Sequence, residues 1–470
     1  MSKNFNNVKN TNLEISNECK QEILEQIYGL CSDCKQPKTY YDWCQNCCSK
    51  GFKHDFNKWT SGNKYVDKFI QETQQKARCR TEVIEWIPYN RLRNIKYLTK
   101  GGFSTIYKAI WLDTTIRPGL GNEFQLCNQD SSYLHFDEND YRIAKEIDVK
   151  SPLNKNEEGR YVILKNLNNS SNINDDFLNE WKNYLQCVNS AYNNNTYLVV
   201  RIYGITQDPE TLNYMIVMKL INGGNLRTNL LTKKYNPFEK YKNLMGIAKL
   251  LLTLHESNLV RGDFHSGNIL LDSRDINYIS DFGLSRPVNK TINSNEIYGV
   301  IPYMAPEVLR GKQYTKAADI YSFGIIMWEF TSGIPAFNDR SHDFDLSLDI
   351  CEGLRPKILE STLPVYARLM KRCWDSDPNK SPTADELVEI LTCWYDYYPK
   401  TKLSDRIPVS RNVPITRNHP LSCYTSRKID YSAKLNENLN QNELIVTYEK
   451  KEYNNETILL SENLGIEIFI

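Results

Sequence analysis

The 470-residue sequence has no run of about 18 apolar residues, so no membrane-spanning helix is expected. Its opening stretch, MSKNFNNVKNTNLEIS, lacks the apolar core of a secretory signal, which points to a cytoplasmic chain. An excess of either charge is also missing: 58 Lys and Arg stand against 57 Asp and Glu, a net charge of +1. Without a basic excess there is no general electrostatic footprint for nucleic acid and no polybasic signal for a membrane surface. In a reducing compartment the thirteen cysteines are expected to be free or metal-bound rather than joined as disulfides.

Four of those cysteines are arranged in pairs. After a stretch from Ile15 to Leu30 with the apolar spacing of one short helix come Cys31-Ser32-Asp33-Cys34 and Cys44-Gln45-Asn46-Cys47. A two-residue spacer lets each pair form a tight knuckle, and two knuckles place four thiolates about 2.3 Å from one tetrahedral zinc ion. About twenty residues cannot enclose a core, so metal binding would supply the folding energy. All ligands come from the protein, which fits a structural rather than a catalytic zinc. The competing reading is four reduced thiols in a loose arm, with Cys48 as a spare thiol. Trp43, Tyr40 and Tyr41 give the cluster a loose similarity to zinc fingers of the Ran-binding-protein type.

The stretch around which the chain is organised is Leu259-Val260-Arg261-Gly262-Asp263-Phe264-His265-Ser266-Gly267-Asn268, followed by Asp281-Phe282-Gly283. Phosphoryl transfer from a nucleotide needs an acceptor for the attacking hydroxyl's proton and oxygen ligands for magnesium. Asp263 suits the first task, and Asn268 and Asp281 suit the second. The order and spacing resemble the protein-kinase family, with its H-R-D-x-x-x-x-N catalytic loop and its D-F-G metal-binding motif. The general sequence is similar to the tyrosine-kinase-like branch. The resemblance implies an α+β, bilobal fold with a β-rich small lobe and a helical large lobe. It also implies ATP and Mg2+ as cofactors and a protein hydroxyl as substrate, serine or threonine favoured over tyrosine.

Other positions follow from the same resemblance. Leu98 to Ala109 aligns with the family's glycine-rich loop, keeping Gly101 and placing Ile106 at its apolar position, while Thr99 and Ser104 replace the outer glycines. Tyr161-Val162-Ile163-Leu164-Lys165 matches the strand whose lysine holds the nucleotide phosphates, with Glu180 as its helix-borne partner. Ile163 stands where the family has an alanine against adenine, and extra methylenes in a packed site cost about 1–3 kcal/mol. Met218 is implied as gatekeeper, Leu220 lies among the hinge residues that offer backbone hydrogen bonds to adenine, and Leu270 is implied beneath the ring. Asp319 is implied as an acceptor for the catalytic-loop backbone, and His255 reads as a packed helix-end histidine.

Several positions depart from the pattern. Arg261 replaces a histidine and is expected near Asp319, while Gly262 replaces an arginine that grips an activation-loop phosphate in many relatives. His265 and Val300 stand where serine/threonine kinases carry lysine and threonine. Ser381 replaces the arginine that pairs with Glu307 of Ala305-Pro306-Glu307, so Glu307 needs another neighbour such as Lys380, a shift toward neutrality, or water. Thr291, Ser294 and Tyr298 are candidate phosphorylation sites.

The resulting organisation is an arm (1–26), a four-cysteine zinc module (27–52), a connector (53–88), a kinase domain (89–398) with an insertion at about 112–159, and a tail (399–470). The tail is polar and mixed from Val409 to Asn442 and reads as flexible. The leading function is an ATP-dependent protein kinase with protein substrates, no membrane and no nucleic acid. The competing classes are a pseudokinase scaffold that still binds nucleotide, and an interaction protein centred on the cysteine module.

Overall fold

A computed structural model describes residues 16–101, 104–112, 159–167, 170–171, 178, 181–182, 185, 199–234, 237–272, 277–280, 286–287, 297–397 and 417–441. The expected insertion, Glu180, Asp281, Thr291 and Ser294 lie outside the described residues. The chain forms two compact units. The first takes in residues up to Thr99, Ser104–Leu178 and Arg201–Leu220; the second is built mainly from Ile221 onward.

In the first unit, helix α1 (Asn17–Tyr28) starts where the Ser16 hydroxyl accepts from the Cys19 amide, and it ends at Gly29, whose φ of +72° suits glycine. Helix α2 (Gln45–Asp55) follows the second cysteine pair, and α3 (Lys64–Lys76) is capped by the Asn63 side chain accepting from Tyr65 and Val66. Val66, Phe69 and Ile70 form the buried stripe of α3. Helix α3 lies within the connector stretch 53–88.

Strands β1 (Glu85–Trp86), β2 (Leu92–Lys100), β3 (Ser104–Trp111), β4 (Arg160–Leu167), β5 (Ile202–Gln207) and β6 (Tyr214–Lys219) form one sheet in the order β1-β5-β6-β4-β3-β2. Glu85–Trp86 forms a two-residue strand parallel to β5, paired with Gly204 and Ile205. Gly204 allows this contact, because a Cβ there would lie 2.2 Å from the Glu85 carbonyl oxygen. One face of the sheet is apolar, with Ile87, Leu92, Ala109, Val162, Leu164, Tyr203, Met215 and Val217 packed together.

The second unit is mostly helical: α4 (Leu226–Lys234), α5 (Pro237–Glu256), α6 (Pro306–Leu309), α7 (Lys316–Ser332), α8 (Phe344–Cys351), α9 (Pro364–Cys373) and α10 (Ala384–Tyr397). Helix α7 is apolar nearly all round and buried along most of its length, as a central helix must be. Gly324 admits α9, since a Cβ there would meet Cys373 Cβ at 2.8 Å. Short strands β7 (Leu259–Val260), β8 (Ile269–Leu271), β9 (Asn277–Ile279), β10 (Arg286–Pro287) and β11 (Ile297–Gly299) carry the loops between helices. Strand β7 pairs with β10, and β8 with β9. This is the expected α+β fold, a β-sheet lobe and a helical lobe.

The reading of the tail as flexible is corrected for residues 417–441. Strand β12 (Arg427–Ile429) pairs antiparallel with β11, and a helix, α11 (432–441), follows it. Ile429, Leu435 and Leu439 are buried. Most of the remaining contacts are polar and directed at the main chain, so the segment docks without a conspicuous apolar pattern.

Candidate active site and cysteine cluster

The catalytic-type loop leaves β7 and enters β8 through a single helical turn, Ser266–Asn268. Asp319 near the start of α7 is buried and accepts from the amides of Arg261 (2.8 Å) and Gly262 (3.1 Å). His255, at the end of α5, brings Nε2 to 3.1 Å from the same carboxylate, so this histidine is packed and hydrogen-bonded as expected. Arg261 thus meets Asp319 through its main chain, while its guanidinium donates to the Ser280 carbonyl at 2.8 Å. Gly262 has φ +69°, a conformation in which any other residue would be strained.

Within this frame Asn268 Nδ2 donates to two oxygens of Asp263, the carbonyl at 3.2 Å and Oδ2 at 3.3 Å. Ser280, the residue before Asp281, donates its amide (3.0 Å) and hydroxyl (3.1 Å) to the Asn268 carbonyl. Leu270 lies half-buried in β8, opposite Tyr278. Gly223 and Gly224 exchange backbone hydrogen bonds with Leu271 at 2.8 Å, and a Cβ on Gly223 would come within 2.3 Å of the Leu271 carbonyl oxygen.

His265 is buried, with Nδ1 accepting from Arg227 Nη2 (3.0 Å) and from the Gly267 amide (3.1 Å). Two donors on Nδ1 leave the neutral ring's proton on Nε2, 3.6 Å from Asp263 Oδ2. That separation is too long for a hydrogen bond but close enough for a dipole to act on the carboxylate. Burial holds the His265 pKa below its usual value, against the pull of Asp263. A second buried group links the same loop to α7: Ser266 Oγ lies 2.9 Å from the Tyr303 hydroxyl, which donates to Glu329 Oε1 at 2.6 Å. Burial raises the Glu329 carboxyl above its usual range, and Arg227 opposes that shift.

Glu307 is also raised by burial, with Lys312 and Arg355 as the opposing cations. The cations near Glu307 are thus Lys312 and Arg355, where the family has an arginine at the position of Ser381. Val300 is buried ahead of the turn Ile301–Tyr303. Tyr298 lies in β11, paired with Lys428, and its carbonyl accepts from the Tyr314 hydroxyl at 2.8 Å.

Sequence reasoning missed Arg227, Tyr303 and Glu329. Glu329 carried a signal, a lone acid inside the apolar run Ile325-Ile326-Met327-Trp328-Glu329-Phe330. Arg227 carried none, since an arginine on a helix is ordinarily a solvated residue.

In the first unit, the register pairs Ile106 with Lys165 and Ile163 with Met218. Directly paired residues share a face of a sheet, as do residues two apart on one strand. Ile106, Ile163, Lys165 and Met218 therefore occupy one face, opposite the apolar core of Val162 and Leu164. Gly101 directly follows β2 and Leu220 directly follows β6.

The four paired cysteines of the same unit come together: their Sγ atoms all lie within 4.8 Å of one another. Cys31 and Cys47 are 3.8 Å apart at sulfur, and Cys34 and Cys44 are 3.5 Å apart. A tetrahedron with metal–sulfur bonds of about 2.3 Å has edges of about 3.8 Å, so the set fits a zinc ion, and it is too open for disulfides, whose sulfurs stand about 2.05 Å apart. The Gln36 backbone amide lowers the Cys34 thiol to about 6, whereas burial raises those of Cys44 and Cys47. Trp43 is 1% exposed, and its indole N–H donates to the Ala77 carbonyl at 3.0 Å, fastening the cluster to the end of α3.

Among the described residues no helix is long and apolar enough to cross a membrane. A family model described as protein tyrosine and serine/threonine kinase matches residues 145–391, which takes in Lys165, Asp263, Asn268 and Asp281 and begins after Gly101 and Ile106. Over 303 residues the chain is 28% identical to a probable serine/threonine-protein kinase of Dictyostelium discoideum, covering 61% of this chain and 21% of that protein. It is 32% identical over 219 residues to a protein kinase and PP2C-like domain-containing protein of Arabidopsis thaliana (39% and 33% coverage). A serine/threonine-protein kinase of the same plant is 30% identical over 196 residues (41% and 34%). The chain thus spans between about a fifth and a third of the length of these relatives.

Proposed function

The chain belongs to the protein tyrosine and serine/threonine kinase family, and on that premise we propose that it transfers the γ-phosphate of ATP to a serine or threonine hydroxyl of a protein. The observation that carries this reading is the Asp263–Asn268 pair, hydrogen-bonded on a loop whose backbone is anchored by Asp319. Asp263 orients the acceptor hydroxyl and takes its proton. Asn268 spends its N–H on Asp263, which leaves its amide oxygen, a hard ligand, for magnesium beside Asp281. When bound, magnesium neutralises the nucleotide phosphates. Lys165, partnered by Glu180, holds the α- and β-phosphates. Gly101, Ile106, Ile163, Met218, Leu220 and Leu270 are the proposed nucleotide contacts.

The serine/threonine preference is supported by the relatives' names, and the tyrosine-kinase-like affinity by the general sequence. The proposed organisation keeps the kinase domain at 89–398, with the insertion at about 112–159, and a four-cysteine module at 27–52 holding structural zinc. The substrates are proteins and the setting is the cytoplasm. The test is transfer of label from ATP with magnesium to a mixed protein substrate, followed by phosphoamino-acid analysis. Labelled phosphoserine or phosphothreonine is expected. Nucleotide binding without transfer would favour the scaffold reading.

A further inference from the structure

Residues 417–441 lie against the same unit that carries Asp263, at several independent points. Strand β12 pairs with β11 in the register Ile297 to Ile429, Tyr298 to Lys428 and Gly299 to Arg427. Arg310 Nε donates to Asn436 Oδ1 at 3.0 Å, and Asn436 Nδ2 donates back to the Arg310 carbonyl at 2.9 Å. The Tyr424 hydroxyl donates to the Ala336 carbonyl at 2.8 Å, and the Arg427 guanidinium donates to the His342 carbonyl. Tyr431 packs edge-on against Phe344.

Arg227 connects this segment to the loop that carries Asp263. Its Nη1 donates to the Tyr424 carbonyl at 3.0 Å, and its Nη2 donates to His265 Nδ1 at 3.0 Å. The guanidinium also lies over the Tyr424 ring, 4.9 Å from its centroid. Gly267 leaves room for it: a Cβ there would come within 2.9 Å of both Nη1 and Nη2. The planar fork therefore reads a tail carbonyl with one arm and orients the imidazole with the other. The imidazole in turn presents Nε2 to Asp263.

We infer that segment 417–441 is a built-in strap that holds the catalytic loop in its working geometry, with Arg227 as the positioning residue through which it acts. The strap would hold β11 through its strand pairing and the Asp263 loop through Arg227 and His265. Docked, it supports turnover; undocked, Arg227 loses one of its two acceptors and the imidazole loses its fixed orientation. The inference rests on the kinase reading, because its consequence is expressed in phosphoryl transfer.

The test uses the full-length protein. Arg227→Ala should lower kcat by between about ten- and a hundredfold, with the KM for ATP nearly unchanged, as expected when a reacting group is misplaced while substrate binding is left intact. Arg227→Lys should not restore it, since one ammonium cannot span both acceptors. Leu435→Asp, or the milder Asn436→Ala should the first misfold, undocks the strap and should lower kcat in the same way. Combining Asn436→Ala with Arg227→Ala should cost no more than Arg227→Ala alone, because both act through one route. Additive losses, unchanged kcat on undocking, or a rise in kcat (the mark of a strap that blocks substrate) would each overturn the inference.

Hydrogen exchange separates this outcome from failure of the kinase reading. Undocking should speed exchange at the β11 amides, and Arg227→Ala should speed it at the Gly267 amide. Wild-type protein that transfers no phosphate would remove the kinase reading. Unchanged exchange in the variants would remove the strap whatever the activity.

Discussion

Ile163 and Met218 face each other across β4 and β6, on the side of the sheet that also carries Lys165 and Ile106. A β-branched side chain stands there where an alanine would leave space for a flat ring. If that face receives the purine, Ile163 crowds it by about 1–3 kcal/mol.

Ile163→Ala is therefore expected to tighten ATP binding, by between about five- and 140-fold when that cost is recovered in full. Calorimetric titration of wild type and variant with nucleotide and magnesium measures the change. Equal affinities would remove the crowding argument.

His342 offers a pH-dependent prediction. Its Nδ1 lies 2.9 Å from the Cys423 carbonyl oxygen and 3.1 Å from the Cys423 amide nitrogen, and its Nε2 lies 2.9 Å from the Phe337 carbonyl oxygen. Burial lowers its pKa; the Phe337 and Cys423 carbonyls oppose the shift, and the Arg427 and Arg227 cations reinforce it. An unfolded or undocked histidine takes a proton near pH 6.5, and the docked one resists. The undocked state thus binds more protons as pH falls, so His342 stabilises docking fully above about 6.5 and loses that contribution on acidification. Proteolysis of the 417–441 segment should accelerate between pH 7.5 and 5.5 in wild type. His342→Gln should flatten the acceleration only in part, because His265 is shifted in the same direction. An identical profile in the variant would remove His342 from the account.

The cysteine cluster predicts one zinc per chain by metal analysis, lost in Cys34→Ser. Trp43→Ala should destabilise the first unit by about 3–5 kcal/mol in denaturant titration, because the indole is nearly inaccessible and hydrogen-bonded to Ala77. A metal-free preparation with its first unit intact would contradict the zinc site.

What was legible in the sequence depended on how local the signal is. The Asp263–Asn268 spacing, the apolar run ending at Lys165 and the cysteine pairs are short patterns, readable without knowing what they pack against. The parallel pairing of Glu85–Trp86 with β5 was not legible, since two residues carry no periodicity and the enabling feature is the bare Cα of Gly204, distant in sequence. The docking of 417–441 was hidden for a related reason. Its anchors are main-chain carbonyls, a two-way amide contact at Asn436 and widely spaced apolar residues, which look like a loop until their partners are known. Arg227 gains its meaning only from Tyr424 and His265, both of them distant from it in sequence.

The central claim is that Asp263 accepts the proton of the attacking hydroxyl, and Asp263→Asn tests it most directly. The substitution keeps the side chain's size but removes the proton acceptor, so label transfer from ATP should fall by about two to four orders of magnitude while the melting temperature stays close to wild type. Retained transfer in a folded Asp263→Asn protein would contradict the account.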